Sequence, residues 1–180
     1  LGTNADLMAL CRAARARGIH VILDGVFSHT GADSRYFNRF ARYPGNGAYQ
    51  EMTGQGLSPF TDWYTFHRKG EDLFYDSWWG FPDLPNVKEH DLSFIEYICG
   101  ENGVLRTWLR RGVSGFRLDV SDELPDHFLR EIRRTMRKER PDVAVLGEVW
   151  ENASHKISYG TYRDFLFGRT HDSIMGYPFQ

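Results

Sequence analysis

The stretch Gly115-Phe116-Arg117-Leu118-Asp119-Val120 decides the fold. It is too short for a helix and too apolar for a loop, and such a run reads as a strand buried on both faces. Its two charges stand two positions apart, so Arg117 and Asp119 project to the same side of the strand. Two other runs read alike. Ile19-His20-Val21-Ile22-Leu23 is followed by Asp24, and Val143-Ala144-Val145-Leu146-Gly147 is followed by Glu148. Ser173-Ile174-Met175-Gly176-Tyr177 supplies a fourth strand near the end of the chain.

Helical patterns separate these strands. Leu7, Leu10, Cys11 and Ala14 recur at helical spacing between a cap at Thr3 or Asn4 and a stop at Gly18, which predicts a helix over about 4–17. Val104, Leu105, Trp108 and Leu109 form a second helix ending near Gly112. A third starts at Pro125 and Asp126, carries Phe128, Leu129, Ile132 and Met136 on one face with an Arg-rich face opposite, and ends before Pro141. Helix and strand in alternation predict a parallel sheet with right-handed crossovers, either a barrel or a doubly wound sheet. There is no GxGxxG run and no phosphate loop. Asp24, the pair Arg117 and Asp119, and Glu148 all fall at the carboxyl ends of successive parallel strands, where both architectures build active sites.

From Thr30 to about Leu92 the pattern changes. Gly and Pro are frequent, no long helical period runs through, and aromatics crowd in, among them Phe60, Trp63, Tyr64, Phe66, Phe74, Tyr75, Trp78, Trp79 and Phe81. A connection this long is uncommon in a compact domain unless it is functional. It reads as an inserted subdomain, residues 30–92, in a main domain made of 1–29 and 93–180. Most of its rings are expected to form a small core of their own, with Trp78 and Trp79 left to offer flat faces to sugar rings.

With 180 residues, 41% hydrophobic and 26% charged, the chain has the composition of a globular protein rather than a disordered one. A formal net charge of −2 gives no field to attract nucleic acid or an anionic membrane, and suits a neutral substrate. No apolar run is long enough to span a bilayer, and no signal segment opens the chain, which begins at Leu1-Gly2-Thr3 and reads as a piece of a longer protein. Cys11 and Cys99 sit in apolar stretches that read as helical, and read as small buried hydrophobes, compatible with a reducing compartment.

Three acids and an arginine converging on one mouth pose an electrostatic problem, because like charges a few Å apart do not all ionise cheaply in a partly dry site. Arg117 should favour the charged form of Asp119. Glu148, in the setting Gly147-Glu148-Val149-Trp150, has no basic neighbour in sequence, and burial near Trp150 should raise its pKa. An ionised nucleophile beside a protonated acid is what retaining glycoside hydrolysis requires.

These segments resemble the α-amylase family of glycoside hydrolases. Asp24-Gly25-Val26-Phe27-Ser28-His29 is similar to the family's first conserved segment at strand three, Gly115–Asp119 to its second at strand four, and Gly147–Trp150 to its third at strand five. Leu84-Pro85-Asn86-Val87 resembles the extra segment near the end of the family's domain B. The resemblance implies an α/β fold, a partial (β/α)8 TIM barrel covering about strands three to six with an inserted domain B after strand three. Trp78-Trp79-Gly80-Phe81-Pro82, Val120-Ser121-Asp122-Glu123-Leu124 and Met175-Gly176-Tyr177-Pro178-Phe179 are most similar to the neopullulanase, cyclomaltodextrinase and maltogenic amylase branch, whose members act on α-1,4 links in cyclodextrins, pullulan and malto-oligosaccharides, are often intracellular and often dimerise. A cytoplasmic enzyme acting on an α-glucan oligosaccharide and prone to self-association is therefore expected.

Carried over by residue, the resemblance makes Asp119 the nucleophile and Glu148 the general acid/base. Arg117 would fix Asp119, His29 would donate to a sugar hydroxyl, Asp24 would support His29 and Arg117, and Trp78, Trp79 and Glu123 would line the substrate. Ser28 stands where calcium-dependent members carry a ligating Asn, which argues against calcium there, and no cofactor is expected. The family's third carboxylate, an Asp after His at strand seven, has no counterpart: His171-Asp172 has the right letters but precedes the apparent strand six. His20, His67, His90, His127 and His155 show no metal-ligand spacing. The rival readings are a non-catalytic barrel serving as a carbohydrate-binding or scaffold subunit, a metal-dependent hydrolase using Asp24, His29 and Glu148, and a transglycosylase or isomerase of the same family.

Overall fold

The computed structural model describes residues 2–158 and 160–177. The main sheet has four parallel strands, β1 (Ile22–Gly25), β4 (Gly115–Leu118), β5 (Ala144–Gly147) and β8 (Ser173–Ile174), in the order β1-β4-β5-β8. Before β1 comes α1 (Asn4–Arg15), capped by a reciprocal Thr3 and Asp6 box; α4 (Val104–Arg110) precedes β4, and α5 (Asp126–Glu139) joins β4 to β5. Between β5 and β8, the two-residue strands β6 (Ile157–Ser158) and β7 (Thr161–Tyr162) pair antiparallel. The strands of the main sheet are shorter than the apolar runs, and β1 starts later than Ile19.

Register places the acids. Asp24 pairs with Arg117 and Leu118 with Gly147 across the sheet. The ladder continues one step beyond the strands, the Asp119 amide donating to the Gly25 carbonyl at 3.1 Å and the Glu148 amide to the Leu118 carbonyl at 3.0 Å. Asp119 and Glu148 therefore leave the sheet together at its carboxyl edge.

The chain forms two compact units, one of Leu1–Gly25 with Ile95–Gln180 and one of Val26–Phe94. In the first, the core lies between sheet and helices: Leu105 and Leu109 of α4, Phe128, Leu129, Ile132 and Met136 of α5, and Phe116, Leu118 and Val145 of the strands are almost fully buried. The spacing of the α5 set is that of one helical face. Arg106 and Arg110 of α4 both reach Glu139 of α5, at 3.0 and 2.8 Å. The expectation that the first strand is buried on both faces fails at β1: Ile22 is 40% exposed and the preceding Ile19 58%. Among the described residues β1 has a partner on one side only, so one face and one edge lack the cover that a central parallel strand has.

The second unit is more regular than its sequence suggests. Beyond α2 (Ala48–Met52) it contains a hairpin of β2 (Phe66–Lys69) and β3 (Asp72–Tyr75). Gly70 at φ 61 takes the first position of the two-residue turn, the place a hairpin reserves for glycine. Phe37 is wholly buried at the centre of an aromatic cluster, with ring centroids 4.9 Å from Tyr64 and 4.6 Å from Tyr75. Trp63 and Tyr64 are buried too, whereas Phe74, Trp79 and Phe81 are exposed. Asp91 caps α3 (Leu92–Cys99), accepting from the Ser93 and Phe94 amides at 3.0 Å each; the alternation expected from the sequence resumes only after this helix. Cys11 and Cys99 are buried and free. No described helix is long and apolar enough to cross a membrane.

Candidate active site

Arg117 is the hub. Its Nη1 donates to Asp24 Oδ1 at 2.8 Å and to Asp119 Oδ1 at 2.5 Å, and its Nη2 lies 2.8 Å from Glu148 Oε1. Its Nε faces Met175 Sδ at 3.5 Å. One guanidinium thus ties together the carboxyl ends of β1, β4 and β5, braced from the end of β8. Asp24 is mostly exposed, whereas Asp119 and Arg117 are better covered and Glu148 best of all, with 9% side-chain exposure.

Glu148 is held on both oxygens. Oε2 accepts from the Val120 amide at 2.8 Å, and Oε1 accepts from the Tyr177 hydroxyl at 3.0 Å as well as facing Arg117. Val120 has φ 38, a conformation that a β-branched residue adopts only when its surroundings impose it. That twist turns its N–H into the site. Ser121, fully buried, donates from Oγ to the Glu148 carbonyl at 3.0 Å.

These contacts reverse the protonation pattern expected from local sequence. Burial raises the Glu148 carboxyl, but the Val120 amide, hydrogen bonds from Trp150 and Tyr177, and the Arg117 charge outweigh it, and the group titrates below the ordinary range. Burial raises Asp119, with Glu148 and Asp24 adding to it, and here Arg117 does not fully compensate. The expectation failed because groups that lower Glu148, the Val120 amide first and the Arg117 charge after the other hydrogen bonds, come from β4 and the turn that follows it, remote in sequence and close in space. In this state Glu148 is the better-stabilised anion.

The other candidates divide. Glu123 closes the turn after Asp119, its amide donating to the Val120 carbonyl at 2.9 Å. His29, Trp78 and Trp79 belong to the second unit. There His29 Nδ1 lies 2.8 Å from Ser28 Oγ, and its ring is 5.6 Å from that of Trp78. Trp78 stacks on Trp79 at 5.2 Å, and Trp79, at φ 50 and 64% exposed, presents a broad face outward. Among the described residues no group of three or more His, Cys, Asp or Glu side chains is placed to hold a metal ion. His171-Asp172 sits before β8, at that strand's amino end: Asp172 accepts from the Val145 amide at 2.9 Å and pairs with Arg133 and Arg137. Tyr177 and the Val120 amide are the site groups that sequence reasoning missed. Within the segment Met175–Phe179 singled out in the sequence, Pro178 and Phe179 lie outside the described residues.

Residues 1–180 match the model of the alpha amylase catalytic domain. The chain belongs to the alpha-amylase family. It is 36% identical to an amylopullulanase from Thermoanaerobacterium saccharolyticum, covering 99% of this chain and 14% of that protein. It is 33% identical to a cyclomaltodextrinase from a Bacillus species, covering 99% of the chain and 29% of the relative. Among solved structures, Ttha1563 from Thermus thermophilus superposes with a TM-score of 0.75 at 36% identity over 99% of this chain and 34% of that one. The family's catalytic domain is a TIM barrel, and the parallel strands with intervening helices described above accord with it. The chain spans less than a third of each of these two curated relatives.

Proposed function

We propose that the protein to which this chain belongs is a retaining hydrolase of α-1,4-glucosidic bonds in malto-oligosaccharides, cyclodextrins or starch-like glucans. In this reading β1, β4, β5 and β8 are strands three to six of the barrel, and Val26–Phe94 is the domain inserted after strand three. The observation that carries it is Arg117 bonded at once to Asp24, Asp119 and Glu148. Two carboxyl groups within reach of a single guanidinium suit the short separation, about 5 Å, of retaining enzymes rather than the wider gap that admits a water.

Asp119 attacks the anomeric carbon and forms a glycosyl ester, while Glu148 protonates the departing oxygen and then deprotonates the incoming water. Arginine stays charged and only donates, so Glu148 serves as the acid only once Arg117 withdraws Nη2 from it. Bound glucan and a third carboxylate from beyond this chain are the groups that would raise the Glu148 pKa. His29 and the Trp78 and Trp79 faces are assigned to sugar contacts.

Two measurements test the reading in the full-length protein. Asp119→Asn should lower turnover by orders of magnitude with glucan binding retained, and Glu148→Gln should lower it about 10²- to 10⁴-fold. The first sugar released should carry the α configuration by proton NMR, and a β product would overturn retention. The mechanism assigns no step to a metal, and full activity is expected in a strong chelator; loss of activity restored by calcium or zinc would favour the metal-dependent alternative.

A further inference from the structure

The two oxygens of Glu148 are not equivalent. Oε2 faces the Val120 N–H at 2.8 Å, and a backbone N–H can only donate. The backbone holds that donor in place, whereas the partners of Oε1 are side chains that can turn, so Oε2 is assigned as the acceptor in both protonation states. The transferable proton then belongs on Oε1. Both Arg117 Nη2 at 2.8 Å and the Tyr177 hydroxyl at 3.0 Å face Oε1. They differ in kind. Arginine has no acceptor, so it must leave when Oε1 is protonated; a phenol both donates and accepts.

We infer that Tyr177 is a positioning residue for the acid/base, keeping the Glu148 carboxyl in place through both of its protonation states. When Glu148 is ionised, the Tyr177 O–H donates to Oε1. When Oε1 carries the proton, the hydroxyl rotates and its oxygen accepts. Arg117 is the partner that changes, turning wholly to Asp119 and Asp24, and Tyr177 is the one that stays. Transfer of the proton from Oε1 to the leaving glycosidic oxygen regenerates the carboxylate, to which Tyr177 donates again while a water approaches. The charged groups facing this carboxyl are Arg117 from β4 and, through it, Asp119 and Asp24; the remaining donors are the Val120 amide, Trp150 and Tyr177. The inference rests on the assignment of Glu148 as acid/base.

The test is Tyr177→Phe in the full-length protein, which deletes one oxygen and leaves the ring. With maltotriose, whose leaving group needs protonation, kcat should fall about tenfold or more while KM changes by less than about twofold, a part of the 10²- to 10⁴-fold that acid/base catalysis supplies. With α-maltosyl fluoride, whose leaving group needs none, the loss should be smaller. Losing a donor to the anion should move the basic limb of the kcat/KM profile to higher pH. A variant with unchanged kcat and pH profile overturns the inference, as does one that loses both substrates equally with an unmoved profile, the result of mere disordering. Glu148→Gln separates the levels: if it cleaves maltotriose as fast as the wild type, the acid/base assignment falls; if it is inactive and Tyr177→Phe is unaltered, the role of Tyr177 alone falls.

Discussion

His171 is a titratable residue packed as though it were apolar. Its side chain is 1% exposed, its ring meets Phe165 at 5.6 Å between centroids, and neither ring nitrogen has a hydrogen-bond partner among the described residues. Burial, joined by the Arg163 charge, pushes the imidazole down to about 4 from an ordinary 6.5, against the pull of Asp172 and Asp126. Folding therefore favours the neutral ring. As pH falls from 6.5 toward 4 the unfolded chain takes up a proton that the folded chain refuses, so stability is full above about 6.5, declines through this window and levels off below it. The shift corresponds to about 3 kcal/mol. Urea unfolding of the wild type should thus show about 2–3 kcal/mol less stability at pH 4.5 than at pH 7 from this residue, and His171→Leu should lose that part of the decline. Identical pH dependence in the two proteins would show that the imidazole is hydrated or paired.

At the level of elements, the same histidine fixes what β5 can carry. A methyl group on Gly147 would lie 2.6 Å from the His171 ring and 2.8 Å from Ser121 Oγ, closer than packed atoms tolerate. Ser121 holds the Glu148 carbonyl, so relief of that clash displaces Glu148, the proposed acid/base. Gly147→Ala should cost about 1–3 kcal/mol of stability and lower kcat by more than stability alone explains. Thermal unfolding with kcat measured well below the transition separates the two effects; a stable variant with normal kcat would mean that Glu148 does not depend on this packing. Strands and their terminal acids were legible in the sequence because short β-branched runs ending in Asp or Glu admit few other readings. The hairpin at Phe66–Tyr75 was not, since aromatic density masked a period of two, whereas the stretch that ends at Cys99 reads as helical and forms the helix Leu92–Cys99. The protonation pattern was illegible for a different reason: it depends on register between strands, which sequence neighbours do not report.

For the whole chain, the open side of the sheet is the governing feature. Among the described residues β1 and β8 each pair on one side only, and near β1 the apolar side chains of Ile19 and Ile22 stand 58% and 40% exposed. Unpaired strand edges with apolar side chains are templates for association. In a closed eight-stranded barrel neither edge would exist, and the family's third carboxylate, expected at strand seven, would face Asp119 and Glu148. The 180-residue chain alone is therefore expected to self-associate and to leave maltotriose uncleaved. Light scattering should give a mass above the 20.9 kDa of one chain, rising with concentration. The double variant Ile19→Lys with Ile22→Lys should bring it down toward the monomer, because a charge at an edge resists pairing, while circular dichroism stays unchanged. A wild-type chain that is monomeric at every concentration would show that its edges are protected by its own loops. Hydrolysis of maltotriose by the purified chain would show that Asp119, Glu148 and Arg117 suffice without a third acid.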